Sequence, residues 1–163
     1  MIFGGNLEGS GYIPTAEIID LNDSNNICET PEDLPITFEN TFGGLITNHS
    51  TIANLAIPMV CGGSIKENGI VKFGDKCYSF DGHRFDDYIT LDEPRFGGTA
   101  VVFDESKVWI AGGSNGFNLT KSTEIFYQQY HRVDSGDDLP STTYDHCSVK
   151  INETHALILG KYL

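Results

Sequence analysis

The sequence Val108-Trp109-Ile110-Ala111-Gly112-Gly113 leads an apolar run into a glycine pair, and the same pattern begins in three other parts of the chain. The other copies are Met1-Ile2-Phe3-Gly4-Gly5, Pro58-Met59-Val60-Cys61-Gly62-Gly63 and Ala156-Leu157-Ile158-Leu159-Gly160, the last with a single glycine. Their spacing of roughly 50 residues is typical of stacked or radial repeat proteins, in which no unit buries its own core. The glycine pairs therefore predict a repeat fold.

Each of the first three copies is followed by a polar loop and a second strand-like run rich in β-branched and aromatic residues, at positions 15–21, 75–81 and 122–127. An acidic segment with proline comes next, and proline there marks the exit from an edge strand. A further short strand then leads to the next glycine pair. We therefore expect four strands per repeat, named a, b, c and d, with the glycine pair at the end of strand b. The approximate units are 1–57, 58–107 and 108–155, with 156–163 beginning another.

This pattern resembles the Kelch repeat, in which strand b ends in Gly-Gly, strand c carries an aromatic residue and a second aromatic residue follows seven positions later. Tyr78 and Phe85 fit that pair in the second unit. At the corresponding positions of the first and third units, Phe126 is the one aromatic residue. The resemblance implies an all-β fold, a Kelch-type β-propeller made of four-stranded blades. Strand spacing alone leaves a β-sandwich as the alternative.

The length of the chain supplies about three blades, fewer than the roughly four to eight that close a propeller. We therefore expect an incomplete ring, a segment of a longer propeller that begins and breaks off inside strand b of a blade. Open blade edges expose apolar surface, which predicts self-association. A second interpretation is that two copies form a closed six-bladed ring with twofold symmetry.

The composition argues against two classes of partner. The 163-residue chain has a formal net charge of −13, and its ten Lys and Arg residues are scattered. Nucleic acids and anionic membranes bind positive patches, so neither is an expected partner. The uncharged stretch 45–65 is interrupted by asparagines, Pro58 and a glycine pair. We therefore expect no membrane span in this chain.

No catalytic or cofactor motif is recognisable in the sequence. There is no Ser-His-Asp order, phosphate-binding glycine loop or paired-carboxylate motif, and the four cysteines form no Cys-x-x-Cys pair. Galactose oxidase shares the Kelch architecture and holds copper with Tyr and His. Here the five histidines are spread over the three units and have no recurrent spacing. We therefore expect no catalytic residues, no metal site and no cofactor.

Two cysteines of the second unit are candidates for a disulfide. Cys61 ends strand b and Cys77 lies in strand c, so antiparallel pairing can bring their α-carbons within the roughly 4.4–6.8 Å that a disulfide needs. The alternative is two buried free thiols, as in cytosolic Kelch proteins. Extracellular invertebrate Kelch-like proteins have a similar Cys-Gly-Gly followed by a Cys-Tyr strand. Cys28 and Cys147 have no clear mate.

Four Asn-x-Ser/Thr sequons are candidate N-glycosylation sites. Asn48 and Asn152 are predicted in a–b turns, Asn22 in a c–d loop and Asn118 in a b–c loop. The alternative is that asparagine, serine and threonine occur there as ordinary turn residues. Together with the cysteine pair, the sequons favour an extracellular or secreted protein, with a cytoplasmic protein as the alternative.

The candidate ligand-binding residues lie on one predicted surface. In a propeller the b–c and d–a loops share one face, here called the b–c/d–a face, and three of the four sequons lie on the opposite face. Arg95 follows a proline where Kelch proteins often place a ligand-contacting arginine. Aromatic residues and arginine carry much of the binding energy at interfaces, so the candidate contacts are Tyr12, Arg95, Phe117, Tyr144 and His146. Phe42 and Phe96 are either further contacts or inter-blade core.

We therefore expect a non-catalytic Kelch-repeat module that binds a protein or a glycan and belongs to a secreted protein or an ectodomain. The first alternative is the substrate-recognition propeller of an intracellular Kelch adaptor of a ubiquitin ligase. The second is a fragment of a copper enzyme of the galactose oxidase type.

Overall fold

The computed structural model describes residues 2–7, 11–17, 40–48, 55–67, 70–104 and 106–160. In these ranges the regular structure consists of β-strands and one 3₁₀ turn, Gln128–Tyr130, with no α-helix. This confirms the expected all-β class. The strands are β1 (Ile2–Leu7), β2 (Gly11–Glu17), β3 (Phe42–Asn48), β4 (Leu55–Cys61), β5 (Ser64–Glu67), β6 (Ile70–Phe73), β7 (Lys76–Phe80), β8 (Phe85–Thr90), β9 (Thr99–Asp104), β10 (Lys107–Ala111), β11 (Thr123–Tyr127), β12 (Arg132–Ser135), β13 (Cys147–Asn152) and β14 (His155–Leu159).

Two antiparallel sheets of four strands form the centre of the described structure. Their orders are β3-β4-β7-β8 and β9-β10-β11-β12. Each sheet thus contains four strands in chain order, as predicted for strands a, b, c and d. Strand a of each sheet, β3 or β9, belongs to the sequence unit before the one that supplies strands c and d. Three hairpins, β1–β2, β5–β6 and β13–β14, complete the described strands. The last of them holds the predicted strands a and b of a further unit.

Two details of the strand prediction are corrected by the structure. The loop after the second glycine pair was expected to be a polar connection, but it contains the hairpin β5–β6. In the first unit, β1 does not end at its glycine pair and continues to Leu7, with an irregular register between Phe3 and Gly5. The next strand begins at Gly11 rather than at Thr15. The predicted continuation of that strand, residues 18–21, lies outside the described residues.

The core lies between the two four-stranded sheets. Strands β4 and β10 alternate apolar side chains with a period of two, which directs one set of them toward the facing sheet. Each fully buried large side chain of this kind contributes about 1.5–3 kcal/mol. Gly44 allows close approach, since a Cβ there would lie 2.9 Å from a methyl group of Val102 on β9. The most buried apolar members of the core are Ile46, Met59, Val108, Ile110 and Phe126.

The glycine pairs end strands β4 and β10 with the same backbone conformation. Gly62 and Gly63 have φ values of 60° and 95°, and Gly112 and Gly113 have values of 63° and 93°. This left-handed region strongly favours glycine. A Cβ on Gly62 would also lie 2.1 Å from the carbonyl oxygen of Arg95. The repeated Gly-Gly motif therefore satisfies both a conformational and a steric requirement.

The second glycine of each pair anchors the connection that leaves strand d of its own sheet. The N–H of Gly63 donates to the carbonyl oxygen of Arg95 at 2.7 Å, and the N–H of Gly113 donates to that of Thr143 at 2.8 Å. Arg95 and Thr143 occupy corresponding places in two successive d–a loops. The glycine pairs thus hold these loops at equivalent positions in both repeats.

The hairpin β13–β14 has one face against the preceding sheet and one face open. On the packed side, the hydroxyl groups of Thr99 and Ser148 share a hydrogen bond of 2.5 Å. On the other side, Val149 lies opposite Leu157 in the register, and both side chains are exposed. Further exposed apolar residues of this hairpin are Ile151 and Leu159. The described part of the chain thus leaves an apolar flank uncovered.

Candidate ligand-binding face

The d–a and b–c loops meet on one side of the two sheets. The N–H of Phe96, in the loop between β8 and β9, donates to the carbonyl oxygen of Ser114 at 3.0 Å. Ser114 lies in the loop between β10 and β11, and its own N–H donates back to Phe96 at 2.9 Å. The N–H of Asp145, in the next d–a loop, donates to the carbonyl oxygen of Gly97 at 2.9 Å. This network forms the b–c/d–a face.

Three aromatic rings form a row on this face. Phe73, at the end of β6, stacks on Phe96 with ring centroids 5.0 Å apart. Phe96 meets Tyr144 edge to face at 5.4 Å. The amide nitrogen Nδ2 of Asn40 donates to the Tyr144 hydroxyl oxygen at 3.1 Å, which fixes the far end of the row. Offset stacked and edge-to-face pairs are the favoured aromatic geometries, so the row is a defined surface feature.

Exposed apolar side chains stand beside this row. Phe117 is 89% exposed and lies in the loop between β10 and β11. Ile70 and Val71, on the hairpin β5–β6, are also exposed. The ring of Phe73 lies against Gly116, so the hairpin and the Phe117 loop are in contact. Two neighbouring b–c connections therefore present apolar side chains on the same face.

Arg95 has a structural environment that contradicts its prediction as a ligand contact. The residue is 1% exposed, and its Nε lies 2.8 Å from Oε1 of Glu124 on β11. Its Nη1 donates to the carbonyl oxygens of Gly112 and Ser122 at 3.0 and 3.1 Å, and Nη2 donates to the Ser122 hydroxyl group at 2.7 Å. The guanidinium group therefore joins two sheets instead of facing a ligand.

His146 is also buried, at 6% exposed, which contradicts its prediction as a surface contact. Its ring lies beside Gly112, where a Cβ would be 2.8 Å from Cε1 of the histidine. In the described part of the chain neither ring nitrogen has a hydrogen-bond partner, and the same is true of the buried Thr143 hydroxyl group. Burial lowers the pKa of His146, and the neighbouring Asp145 carboxylate opposes this in part. A neutral imidazole is therefore favoured in the folded state.

The remaining predicted contacts have different environments. Tyr12 lies in strand β2, opposite Asn6, and not in a loop. Phe42 is buried in the core, Phe117 is exposed and Tyr144 is half-buried. The sequence prediction included neither Phe73 nor the hairpin that carries it. The sequence Asn68-Gly69 between β5 and β6 is a strong hairpin signal that could have predicted it.

The cysteine pair and the sequons have the following positions. Cys61 and Cys77 lie directly opposite each other on β4 and β7 and form a disulfide, which confirms that prediction. Cys147 is an exposed free cysteine, and Cys28 lies outside the described residues. Asn48 and Asn152 end β3 and β13, and Asn118 is exposed in the b–c loop beside Phe117, whereas Asn22 lies outside the described residues.

Neither a membrane-spanning helix nor a metal-binding cluster occurs in the described ranges. No helix there is long and apolar enough to span a membrane. No group of three or more His, Cys, Asp or Glu side chains in those same ranges is arranged to hold a metal ion.

Comparison with known proteins identifies similarity of fold. No protein-family model matches the chain, and no curated protein matches it. Solved structures do match, among them one titled "Structure of YjhT", with a TM-score of 0.71 at 11% sequence identity. The match covers 85% of this chain and 50% of that chain, so this chain spans about half the length of that structure. At this identity the likeness concerns the fold alone.

Proposed function

We propose that this chain is a segment of a Kelch-type β-propeller that binds a protein ligand without catalysis. The architecture is supported by two successive four-stranded antiparallel sheets, each built from consecutive strands. The glycine pairs at the ends of β4 and β10 support it further, because they have equivalent φ values and bind equivalent d–a loops. These are the repeat features from which the Kelch resemblance was inferred.

The b–c/d–a face is the proposed binding surface. The observation that carries this proposal is the exposure of Phe117, Ile70 and Val71 on two adjacent b–c connections. Exposed apolar side chains on one face mark interaction surfaces, and aromatic side chains are common binding hot spots. The row Phe73, Phe96 and Tyr144 adds ordered aromatic packing to the same face.

An extracellular location is part of the proposal. The disulfide between Cys61 and Cys77 supports it, since structural disulfides form and persist in oxidising compartments. Exposed sequon asparagines at 118 and 152 are compatible with glycosylation in the same route. A glycan at Asn118 would stand on the proposed binding face next to Phe117, so the ligand should bind best when Asn118 carries none.

The experiment is a screen of the full chain against a panel of extracellular proteins, followed by surface plasmon resonance with two matched variants. Phe117→Ala should weaken binding by about 2 kcal/mol, or roughly 30-fold. Tyr130→Ala is the control, because Tyr130 is also an exposed aromatic residue, 68% exposed, but belongs to the turn between β11 and β12. Loss of binding in Tyr130→Ala with full binding in Phe117→Ala would place the ligand on the other face.

Two other outcomes would replace this proposal. Binding confined to intracellular ubiquitin-ligase subunits and their substrates would favour the adaptor alternative. Copper-dependent alcohol oxidation by the purified chain would favour the enzyme alternative.

A further inference from the structure

A cavity separate from the b–c/d–a face opens between the outer strands of the two four-stranded sheets. It has a volume of about 470 Å³ and lies between β8 and β12. Its size falls within the range of about 300–1,000 Å³ that is usual for small-molecule sites. None of the residues of the proposed protein-binding face contributes to its lining.

The cations at this cavity are already neutralised by carboxylates. Lys76 forms an ion pair with Asp87. Arg132 forms an ion pair with Asp134 at 2.6 Å and also lies over the ring of Tyr127, 5.2 Å from its centroid. An anionic ligand would have to compete with these carboxylates, on a chain whose formal net charge is −13.

Four other side chains at the cavity have unused hydrogen-bonding capacity. In the described ranges, Tyr88, Thr90, Asp92 and His131 all line the cavity, and their side chains form no hydrogen bond. The backbone N–H of Asp92 donates to Oε2 of Glu124 at 2.7 Å, which holds the main chain at Asp92 beside the cavity. The cavity therefore offers one unpaired carboxylate acceptor together with a phenol, an aliphatic hydroxyl group and an imidazole.

The aromatic wall of the cavity is held in place by packing. Tyr88 is half-buried and meets the rings of Phe126 and His131 edge to face, at 5.4 and 5.1 Å. Burial raises the pKa of Tyr88, so its hydroxyl group keeps its proton and can donate. His131 has a φ of 49°, whereas the turn between β7 and β8 has Gly82 with positive φ. A side chain with a Cβ is strained in that conformation and glycine is not, so the imidazole is held at this wall at a backbone cost.

We propose that this cavity binds a neutral saccharide unit. Sugar hydroxyl groups donate to a carboxylate such as Asp92 and exchange hydrogen bonds with tyrosine, threonine and imidazole groups. The apolar side chains of Ile89 and Val133, which also line the cavity, can pack against the C–H faces of a sugar ring. A single free carboxylate does not supply the six or more oxygen ligands of a calcium site. The free donors and acceptors thus match a polyhydroxylated ligand better than an ion.

The test is a titration of the full chain with glucose, mannose, galactose and N-acetylglucosamine, in which saturation-transfer NMR detects binding. Glucuronate is titrated in the same way as an anionic probe. At least one neutral sugar should bind at concentrations up to about 10 mM, and glucuronate should bind more weakly. Asp92→Asn should weaken binding about tenfold, because it removes the charged acceptor and keeps the side-chain shape. The matched control is Asp138→Asn, which changes an exposed carboxylate paired with Lys121 outside the cavity and should leave binding unchanged.

Three results would overturn the proposal. The first is that none of the four neutral sugars binds in that concentration range. The second is that Asp92→Asn and Asp138→Asn bind the sugar equally well. The third is that binding is lost in Phe117→Ala instead, which would place the sugar on the b–c/d–a face. The first two results leave the proposed protein ligand unaffected, because that ligand is tested separately through Phe117 and Tyr130.

Discussion

Replacement of Arg95 by alanine should destabilise the chain strongly, because it leaves a buried carboxylate without its cation. Arg95 and Glu124 are 1% and 2% exposed, and their ion pair is 2.8 Å long. The change also removes the donors to the carbonyl oxygens of Gly112 and Ser122. Removal of one partner of a buried pair costs about 3–5 kcal/mol, so we expect a loss of that size in the free energy of unfolding.

Two further variants separate the buried charge from other effects. Arg84→Ala breaks an exposed pair with Asp86, 3.2 Å long, and should cost less than about 1 kcal/mol. In the Arg95→Ala background, Glu124→Gln removes the uncompensated charge and keeps an acceptor for the Asp92 N–H. We expect this second change to restore about 1–2 kcal/mol.

The assay is urea unfolding followed by the fluorescence of Trp109, the single tryptophan of the chain, which lies on β10 beside the strand of Glu124. Linear extrapolation gives the free energy of unfolding of each variant. Equal stabilities of Arg95→Ala and Arg84→Ala would refute the reasoning. So would a ligand affinity that depends on Arg95 while the stability does not change.

Three other predictions concern the disulfide, the buried histidine and the open flank. Non-reduced peptide mapping of protein made through a secretory route should find a peptide cross-linked between Cys61 and Cys77. Reduction of this disulfide, which spans 16 residues, should lower the free energy of unfolding by about 3 kcal/mol. Two free thiols would count against an extracellular origin. Because burial lowers the pKa of His146 below its usual value of about 6.5, the unfolded chain takes up the proton first, so this contribution to stability should be complete above that pH and should decrease as the pH falls below it. His146→Phe removes two unpaired buried nitrogens and should raise the free energy of unfolding by about 1 kcal/mol. It should also make the melting temperature less dependent on pH, and an unchanged pH dependence would assign the effect to other groups. The exposed apolar side chains of β13–β14 should cause self-association at micromolar concentration, which sedimentation can measure. The double variant Leu157→Lys and Val149→Glu should reduce this self-association. A monodisperse wild-type monomer would contradict the expected open flank.

The strand framework was predictable because its signals are local. An apolar run that ends in two glycines marks the end of strand b, and both complete sheets have that strand where it was expected. The positions of Cys61 and Cys77 on adjacent antiparallel strands made a disulfide a candidate beside two free thiols, and the structure has the disulfide. In each of these cases the information lies within about 20 residues of sequence, where strand and turn preferences operate.

The candidate site was less predictable because burial depends on distant residues. Arg95 follows a proline in a loop, a place that suggests exposure, but its partner Glu124 lies on another sheet, 29 positions later. The burial of His146 depends on the space left by Gly112. The cavity between β8 and β12 likewise requires two outer strands of different repeats to pack side by side. A single sequence contains no local signal for such packing.

Arg95 also influences how the repeats unfold. Its carbonyl oxygen is bound by Gly63 in one sheet, and its guanidinium group is bound by Gly112 and Glu124 in the next. In an array of repeats, the coupling between neighbours determines how cooperatively they melt. We therefore expect the two sheets to melt as one unit under heat or pulling force. At the next junction, between β12 and β13, the corresponding residue Thr143 is bound through its carbonyl group, and its hydroxyl group has no partner in the described ranges. We therefore expect the array to open first at that junction.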